Sequence, residues 1–233
     1  MRTRVLGVLL VLALASTACG DDAEKEAATT TTSTTVAEKA EDDADDLALA
    51  EAVVLTIDDL PEGVEWSSEP ADEEEDDEGG AAFRVCMGLP PDTGRPSADS
   101  PTFSSGDATQ VDSSATVAPT AEQIDEDFAR LEGPEFVDCA KKQFEAAIGE
   151  QSDVTFGPLQ AERLDFPTVG DGATAVRLST KVETGDGETL PFHFDVVLLK
   201  KGRVGMTLTL VNAPEPFPTE LSVPMAEAMA ARA

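Results

Sequence analysis

The sequence contains no tyrosine, one tryptophan and one histidine, and its basic residues are few. Sixteen Lys and Arg residues stand against 47 Asp and Glu in a chain of 233 residues, so the formal net charge is −31. Binding to nucleic acid needs a basic face that displaces counterions, and adhesion to anionic lipid head groups needs a basic cluster. The composition therefore argues against nucleic acid and an anionic membrane surface as partners.

The motifs of common catalytic and cofactor sites are also missing. There is no Gly-x-Ser-x-Gly elbow, no phosphate-binding loop of the P-loop or Rossmann type and no Cys-x-x-Cys pair. The acidic run at residues 72–78 fails as an EF-hand loop. If Gly79 filled the sixth position, Val85 would stand where the final Glu is required. We therefore expect no metal, no cofactor and no enzymatic activity.

The first nineteen residues have the organisation of a secretion signal. Arg2 and Arg4 precede an apolar stretch at residues 5–15, and small residues lead up to Cys19. The apolar stretch is about half of the ~20 residues that a membrane-spanning helix needs, so we expect a signal peptide at residues 1–18 rather than a permanent span. An ordinary secretory signal with an incidental cysteine is the simpler alternative.

The position of Cys19 resembles the lipobox of bacterial lipoproteins. This resemblance implies that the signal is cut in front of Cys19 and that the cysteine carries a diacylglycerol with acyl chains such as palmitate. Two or three acyl chains hold a protein on a membrane durably, whereas one chain does so only marginally. The expected location is therefore outside the cytoplasmic membrane, in the cell envelope, with the N-terminal lipid as the membrane partner.

Composition divides the remaining chain into a tether and a domain. Residues 19–46 are acidic and rich in Ala and Thr, with few large apolar residues, and predict the acylated cysteine followed by a disordered tether. Residues 47–233 are long enough for a single globular domain with a sizeable core. Within that domain residues 69–80 carry a block of like charges and predict a mobile acidic loop.

Cys86 and Cys139 remain as a pair once Cys19 is assigned to the lipid. In an oxidising compartment an isolated pair usually forms a disulfide. The bridge would close a loop of about fifty residues and contribute roughly 4 kcal/mol on the chain-entropy model. A redox-active or catalytic thiol is the weaker alternative, because no neighbouring cysteine lowers the thiol pKa.

Hydrophobic patterning predicts an α+β fold. Thr56 followed by Asp59 is the pattern of a cap on one helical turn, and Thr120 with Gln123 is typical of a helix start. Apolar residues at helical spacing predict two consecutive helices up to Gly149. Alternation from residue 174 to residue 211, broken by short turns, predicts an antiparallel β-meander, which a terminal helix follows. The result is a layered sandwich of sheet and helices with one disulfide. The expected inner face of the penultimate strand consists of Phe192, Phe194, Val196 and Leu198.

His193 and Asp195 lie on the other face of that strand and form the one constellation with chemical potential. A histidine beside a carboxylate is a candidate general base or metal ligand. We favour the simpler interpretation, in which His193 lies at a surface or groove and has no catalytic part. Together with Trp66, these two residues are our candidates for the lining of a ligand groove.

The order of these features resembles a known group of proteins. The phrase at residues 55–63 (LTIDDLPEG) follows the tether, a cysteine pair has one member on a central helix, and a helix preceded by prolines follows the meander. This layout is similar to small actinobacterial cell-envelope lipoproteins and to the extracellular sensor domains of actinobacterial serine/threonine kinases. The resemblance implies a disulfide-braced α+β sandwich with a groove between sheet and helices, used for binding or sensing rather than catalysis.

Three functions remain open and predict different surfaces. The first is a surface-anchored lipoprotein whose domain binds an envelope component, either an apolar small molecule or a protein; an apolar cavity would favour it. The second is an accessory subunit of a membrane complex without a small ligand, which a flat exposed apolar patch would favour. The third is a carboxylate-based hydrolase, which needs a cleft with two facing carboxyls.

Overall fold

The computed structural model describes residues 33–71, 78–91, 94–106, 108–149, 155–183 and 188–233. The α-helices in these ranges are α1 (Ser33–Val53), α2 (Glu78–Cys86), α3 (Ala121–Leu131), α4 (Glu135–Gly149) and α5 (Thr219–Arg232), and a 3-10 helix covers Ile57–Asp59. The strands are β1 (Ser67–Glu69), β2 (Ser97–Asp99), β3 (Thr102–Ser105), β4 (Thr109–Val117), β5 (Thr155–Phe156), β6 (Gln160–Leu164), β7 (Gly172–Glu183), β8 (Thr189–Lys201) and β9 (Val204–Asn212). None of the helices in the described ranges has the length and apolar character needed to cross a membrane.

The strands form one antiparallel sheet. Its main order is β1-β3-β4-β9-β8-β7-β5, with β2 also paired to β4 and β6 also paired to β7. Strands β7, β8 and β9 follow one another in sequence and in space, which confirms the predicted meander. The long pairing of β4 with β9 adds the N-terminal half of the chain to the same sheet. The fold is therefore α+β, as predicted.

Helices cover both faces of this sheet. Helix α1 packs against β4 and β2 on the first face, where α5 packs against β8 and β9. On the second face α3 packs against β8 and β9, while α4 packs against β7 and β6. The first face holds the main hydrophobic core, whose fully buried members include Val53, Leu55, Val111, Val117, Leu199, Leu208, Leu210, Met225 and Met229.

The predicted inner face of β8 packs against the helices of the second face, but it is less deeply buried than the opposite face. The structure buries Asp195, Val197 and Leu199, which are at most 2% exposed, on the face toward α1 and α5. The predicted set from Phe192 to Leu198 is only half-buried. The reason is that β8 is central and carries apolar residues on both faces, so the larger aromatic residues do not reveal which face packs more tightly.

Helix α1 begins inside the predicted tether. Residues 33–46 of the segment predicted as a tether are helical, while residues 19–32 and the signal region lie outside the described residues. The segment is rich in good helix formers, and tertiary contacts hold its end: Asp46 pairs with Arg203, and Ala50 is fully buried. Of the segment at 69–80 that is predicted as an acidic loop, Glu69 belongs to β1 and residues 78–80 belong to α2, while residues 72–77 lie outside the described residues.

Three local predictions are confirmed. Cys86 on α2 and Cys139 on α4 form a disulfide, with Cα atoms 5.8 Å apart and a sequence separation of 53 residues. The Thr120 hydroxyl accepts a hydrogen bond from the Gln123 amide at 3.3 Å and caps α3. Thr56 and Asp59 form a capping box around the 3-10 helix, in which the Thr56 amide donates to the Asp59 carboxylate at 2.7 Å.

Arg232 near the C-terminus ties three elements together. Its guanidinium donates to both carboxylate oxygens of Asp59, at 2.8 and 3.0 Å, and to the carbonyls of Val53 and Val54 at the end of α1. Burial alone would raise the pKa of Asp59, but the hydrogen bonds from Arg232 and Thr56 outweigh it and hold that pKa below its ordinary value. The terminal helix is thereby fixed to the start of the domain.

Candidate functional site

A cavity of about 680 Å³ lies between the second face of the sheet and helices α2, α3 and α4. Its volume is within the range of about 300–1,000 Å³ that is typical of small-molecule sites. Sheet residues form its floor and helix residues form its walls and roof. We take this cavity as the candidate functional site.

The floor has two chemically different halves. Strands β7 and β8 contribute the apolar half, in which Val176 pairs with Val196 and Leu178 pairs with Phe194. Strands β9 and β4 contribute the hydroxyl half, in which Thr207 pairs with Ser114. The register places the two halves side by side, since Leu198 on β8 pairs with Thr207 on β9. The hydroxyl half consists of Ser114, Thr116, Thr207 and Thr209.

The helices close the apolar half. The α4 stripe predicted from the sequence faces the sheet, where Phe144 lies 5.1 Å from Phe194 between ring centroids. Phe136 on the same helix meets Phe83 of α2 edge-on at 6.1 Å. Aromatic pairs of this kind add about 0.5–1.5 kcal/mol to simple burial. Four phenylalanines therefore frame this end of the cavity.

The lining also contains a charged cluster, which consists of Arg84, Arg95 and Asp127. Arg95 donates to Oδ2 of Asp127 on α3 at 3.0 Å, and a guanidinium nitrogen of Arg84 lies 3.5 Å from the same oxygen. Arg84 also donates to the Pro90 carbonyl at 2.7 Å. The three side chains are 12–17% exposed, so water screens their charges only partly. They are the titratable residues among the described residues that line the cavity.

The disulfide contributes to the site through helix α2. This helix supplies Phe83 and Arg84 to the cavity wall, and the bond from Cys86 to Cys139 fixes it against α4. The predicted covalent brace therefore holds together two of the three helices that enclose the cavity.

The three residues predicted to line a groove lie elsewhere, and none of them is in the lining of this cavity. Trp66 packs against the main core, where its indole N–H donates to the Pro61 carbonyl at 3.3 Å. His193 and Asp195 are on the first face of the sheet, the side of α5. The cavity between the sheet and helices α2 to α4 lies on the opposite face of β8.

Asp195 is a structural partner of Arg177. Its two carboxylate oxygens accept hydrogen bonds from the Arg177 guanidinium at 2.7 and 2.6 Å, and Asp195 is 2% exposed. The hydrogen bond from Arg177 and the charge of Asp195 raise the pKa of the guanidinium further, against the opposing effect of burial. The carboxylate is thus committed to a cross-strand ion pair.

His193 makes two hydrogen bonds that do not involve Asp195. Its Nδ1 lies 2.9 Å from the Ser179 hydroxyl, and its Nε2 lies 3.2 Å from the Pro214 carbonyl. A carbonyl can only accept, so Nε2 carries the proton and Nδ1 accepts from Ser179 in the neutral ring. The carboxylate-oriented base considered from the sequence is therefore not assembled. The described residues also contain no cluster of three metal-ligating side chains.

The residues that do line the site left a weak signal in the sequence. Thr207 and Thr209 alternate with leucines, and the serine- and threonine-rich segment at 99–119 supplies the hydroxyls opposite them. In a sequence, a polar face of this kind is also typical of the solvent side of a half-buried sheet. It does not by itself indicate a site. Arg84, Arg95 and Asp127 are brought together only by the packing of α2 and α3, which one sequence does not reveal.

Comparison with known proteins gives weak similarities. No protein-family model matches the chain. No curated protein matches it in sequence. The extracellular domain of PknH from Mycobacterium tuberculosis superposes with a TM-score of 0.38 at 12% identity, covering 79% of this chain and 95% of that one. A protein of unknown function, PA94 from Pseudomonas aeruginosa, superposes with a TM-score of 0.26 at 18% identity, covering 54% and 75%. Neither similarity is close enough to support a functional argument.

Proposed function

We propose that this domain is a non-enzymatic binding module for a small molecule with an apolar part, which it holds between the sheet and helices α2 to α4. The observation that carries the proposal is the 680 Å³ cavity with its aromatic and aliphatic half. Apolar pockets with a few convergent polar groups are the usual form of ligand sites. A ligand with an apolar part would gain free energy by leaving water for this lining.

The lining offers little to acid–base catalysis. Asp127 is the one carboxylic residue in the described lining, and both Arg84 and Arg95 contact it. A hydrolase with two facing carboxyls would need a second acid across the cavity. Binding without chemistry is therefore the function that this arrangement supports best.

The cavity also favours a small ligand over a flat protein interface. The exposed large apolar side chains in the described residues belong to different helices, strands or connecting segments: Leu47, Ile57, Val64, Val85, Leu190 and Leu221. Single exposed apolar residues are ordinary on protein surfaces and do not mark an interface. A concave site between the sheet and the helices provides more apolar contact for a small molecule than these separate exposed side chains provide for a protein partner.

We further propose that the domain is anchored outside the cytoplasmic membrane through a lipid on Cys19. The charge, apolar stretch and small residues before Cys19 support this assignment. The disulfide between Cys86 and Cys139 fits an oxidising compartment. A ligand from the envelope, rather than from the cytoplasm, would then reach the cavity.

A matched pair of substitutions on α4 tests the binding proposal. Both Ala146 and Ala147 are exposed, but only Ala147 lines the cavity, so A147W should obstruct the site and A146W should leave it open. Isothermal titration of the purified full chain with decan-1-ol should give a negative heat-capacity change for the native protein. We expect A147W to weaken this binding about tenfold or more, and A146W to change it little.

Native mass spectrometry of the protein from its own host provides the second measurement. A defined extra mass that is present in the native chain and in A146W, but lost in A147W, would support the proposal and define the ligand. If neither decan-1-ol nor a co-purified molecule binds, or if both variants bind equally well, this cavity is not a ligand site.

A further inference from the structure

We infer that the cavity selects an electrically neutral ligand, and that Asp127 is the residue that excludes anionic ones. This inference rests on the proposed binding function and specifies the chemistry of the ligand. The class of molecule is one with an apolar chain or ring whose polar groups carry no charge, such as hydroxyls or ester carbonyls.

The charged groups in the described lining are already paired with one another. Arg95 donates to the Oδ2 atom of Asp127 at 3.0 Å, and a guanidinium nitrogen of Arg84 lies 3.5 Å from the same atom. Arg84 also donates to the Pro90 carbonyl at 2.7 Å. The three charged side chains are only 12–17% exposed, so these contacts form largely away from water. Each charge of the lining therefore has a partner in the protein before any ligand binds.

An anionic head would have to compete with Asp127 for the guanidinium groups. It would also lie close to a carboxylate of its own sign, and the repulsion between like charges is stronger where water is largely excluded than in bulk solvent. An anion that leaves water without a cation available to pair with it loses its hydration without compensation. The formal net charge of −31 adds a repulsion at longer range, which salt screens.

A cationic head would lack an acceptor in the same cluster. Asp127 is the one carboxylic residue in the described lining, and two guanidinium groups already contact it. Those groups can only donate hydrogen bonds, and they carry the same charge as the ligand would. The acidic chain attracts cations to its surface, but the described lining does not favour their entry into the cavity.

The rest of the lining suits a neutral ligand. Four half-buried hydroxyls lie on the floor, those of Ser114, Thr116, Thr207 and Thr209. A hydroxyl both donates and accepts hydrogen bonds, so it can bind an uncharged oxygen with no charge to balance. The apolar half follows directly on β8, where Leu198 pairs with Thr207, and it extends to the contact between Phe144 and Phe194. A neutral molecule with an apolar part has a matching surface in each half.

Three matched ten-carbon probes test the inference on the native protein. Decan-1-ol, decanoate and decylammonium share the apolar chain and differ in the charge of the head, since at pH 8 both the acid and the amine are ionised. Calorimetric titration of the purified full chain at about 0.3 M salt screens the acidic surface. The dissociation constant should be about tenfold or more lower for decan-1-ol than for either ion. Binding that A147W does not weaken lies outside the cavity and is discounted.

Two neighbouring substitutions on α3 test the role of Asp127. D127N removes the negative charge from the lining and keeps the size of the side chain, so the affinity for decanoate should rise about fivefold or more relative to that for decan-1-ol. E126Q makes the same change of charge at the next residue, which is exposed and outside the lining, and should change this ratio less than about twofold. Similar binding of decan-1-ol in both variants shows that the cavity is intact.

The outcomes separate the inference from the proposal on which it rests. If either ion binds the cavity of the native chain as tightly as decan-1-ol, the neutral ligand is wrong while the binding function stands. If D127N favours decanoate no more than E126Q does, the role of Asp127 is wrong. If D127N does not fold, R95Q replaces it and should instead raise the affinity for decylammonium relative to decan-1-ol; an unchanged ratio overturns the role of the cluster. If none of the three probes binds the native chain, the proposed binding function itself fails.

Discussion

Asp195 stabilises the fold through a buried ion pair with Arg177, although its position near His193 in the sequence is also typical of a functional site. An acid next to a lone histidine suggested a catalytic or groove role, but the structure gives Asp195 to the neighbouring strand β7. Removing one partner of such a pair leaves the other charge buried without compensation, which is more costly than losing a surface pair.

We expect Asp195→Asn to lower the free energy of unfolding by about 3 kcal/mol, because the Arg177 guanidinium loses its charged acceptor. Urea denaturation at pH 7 measures this loss. Asp165→Asn is the matched control, since Asp165 is exposed, and it should leave the free energy of unfolding nearly unchanged. A loss for Asp195→Asn as small as that of the control would mean that the pair contributes no net stability.

The lowered pKa of Asp59 predicts that the free energy of unfolding depends on pH. Its pKa in the folded protein lies below the ordinary value, so the carboxylate stabilises the fold above the unfolded pKa of about 4 and loses this effect as the pH falls through the folded pKa. At pH 7 we expect Asp59→Asn to be less stable than the native protein by about 1 kcal/mol. Urea denaturation at a series of pH values should show the difference between the two proteins shrinking as the pH falls below the ordinary carboxyl pKa of about 4. A constant difference across that range would contradict the assignment.

At the scale of the elements, the disulfide makes helix α2 part of the cavity wall. Helix α2 covers only residues 78–86, and an isolated helix of that length is marginal in water. The covalent bond to α4 keeps Phe83 against Phe136, and this contact positions the wall. The element therefore depends on a single bond more than the long strands do.

We expect the double substitution Cys86→Ser with Cys139→Ser to lower the free energy of unfolding by about 4 kcal/mol, since it frees a loop of 53 residues in sequence. It should also weaken the binding of decan-1-ol, because α2 is no longer fixed to α4. Thermal unfolding and calorimetry measure the two effects. Two titratable thiols in the native chain, with no change in stability on reduction, would mean that the bond does not form.

Sequence reasoning succeeded where the signal is local. The capping residues Thr56 and Thr120, the helices α3 and α4, and the strands of the meander follow from patterns within about ten residues, and all are present. Local patterns are less informative where both faces of a strand are apolar, or where a cluster is formed by residues that are distant in the sequence. Apolar residues on both faces of β8 do not show which face packs more deeply, and the cavity lies on the face opposite His193 and Asp195. Arg84, Arg95 and Asp127 come from three separate segments of the chain, so no pattern in the sequence predicts that their side chains meet.

At the scale of the whole molecule, the proposed membrane anchor is a lipid on Cys19. We expect Cys19→Ala to release the protein into the medium, because the acyl chains that hold it would be lost. Fractionation of cells that express the native and the variant chain, followed by immunoblotting, measures the shift. Ser16→Ala leaves the cysteine in place and serves as the control, which should stay with the membrane. Retention of the Cys19→Ala chain in the membrane fraction would contradict the proposed anchor.

The first face of the sheet forms the main core and the second face lines the cavity, and this difference has an evolutionary consequence. Alternate residues of the same strands serve the core on one face and the cavity on the other, as Val197 and Val196 do on β8. A substitution at a half-buried position of the second set, such as Val196, should cost less folding free energy than one at the fully buried Val197. Descendants of this chain could therefore acquire new ligands by drift along one face, with the scaffold inherited intact on the other.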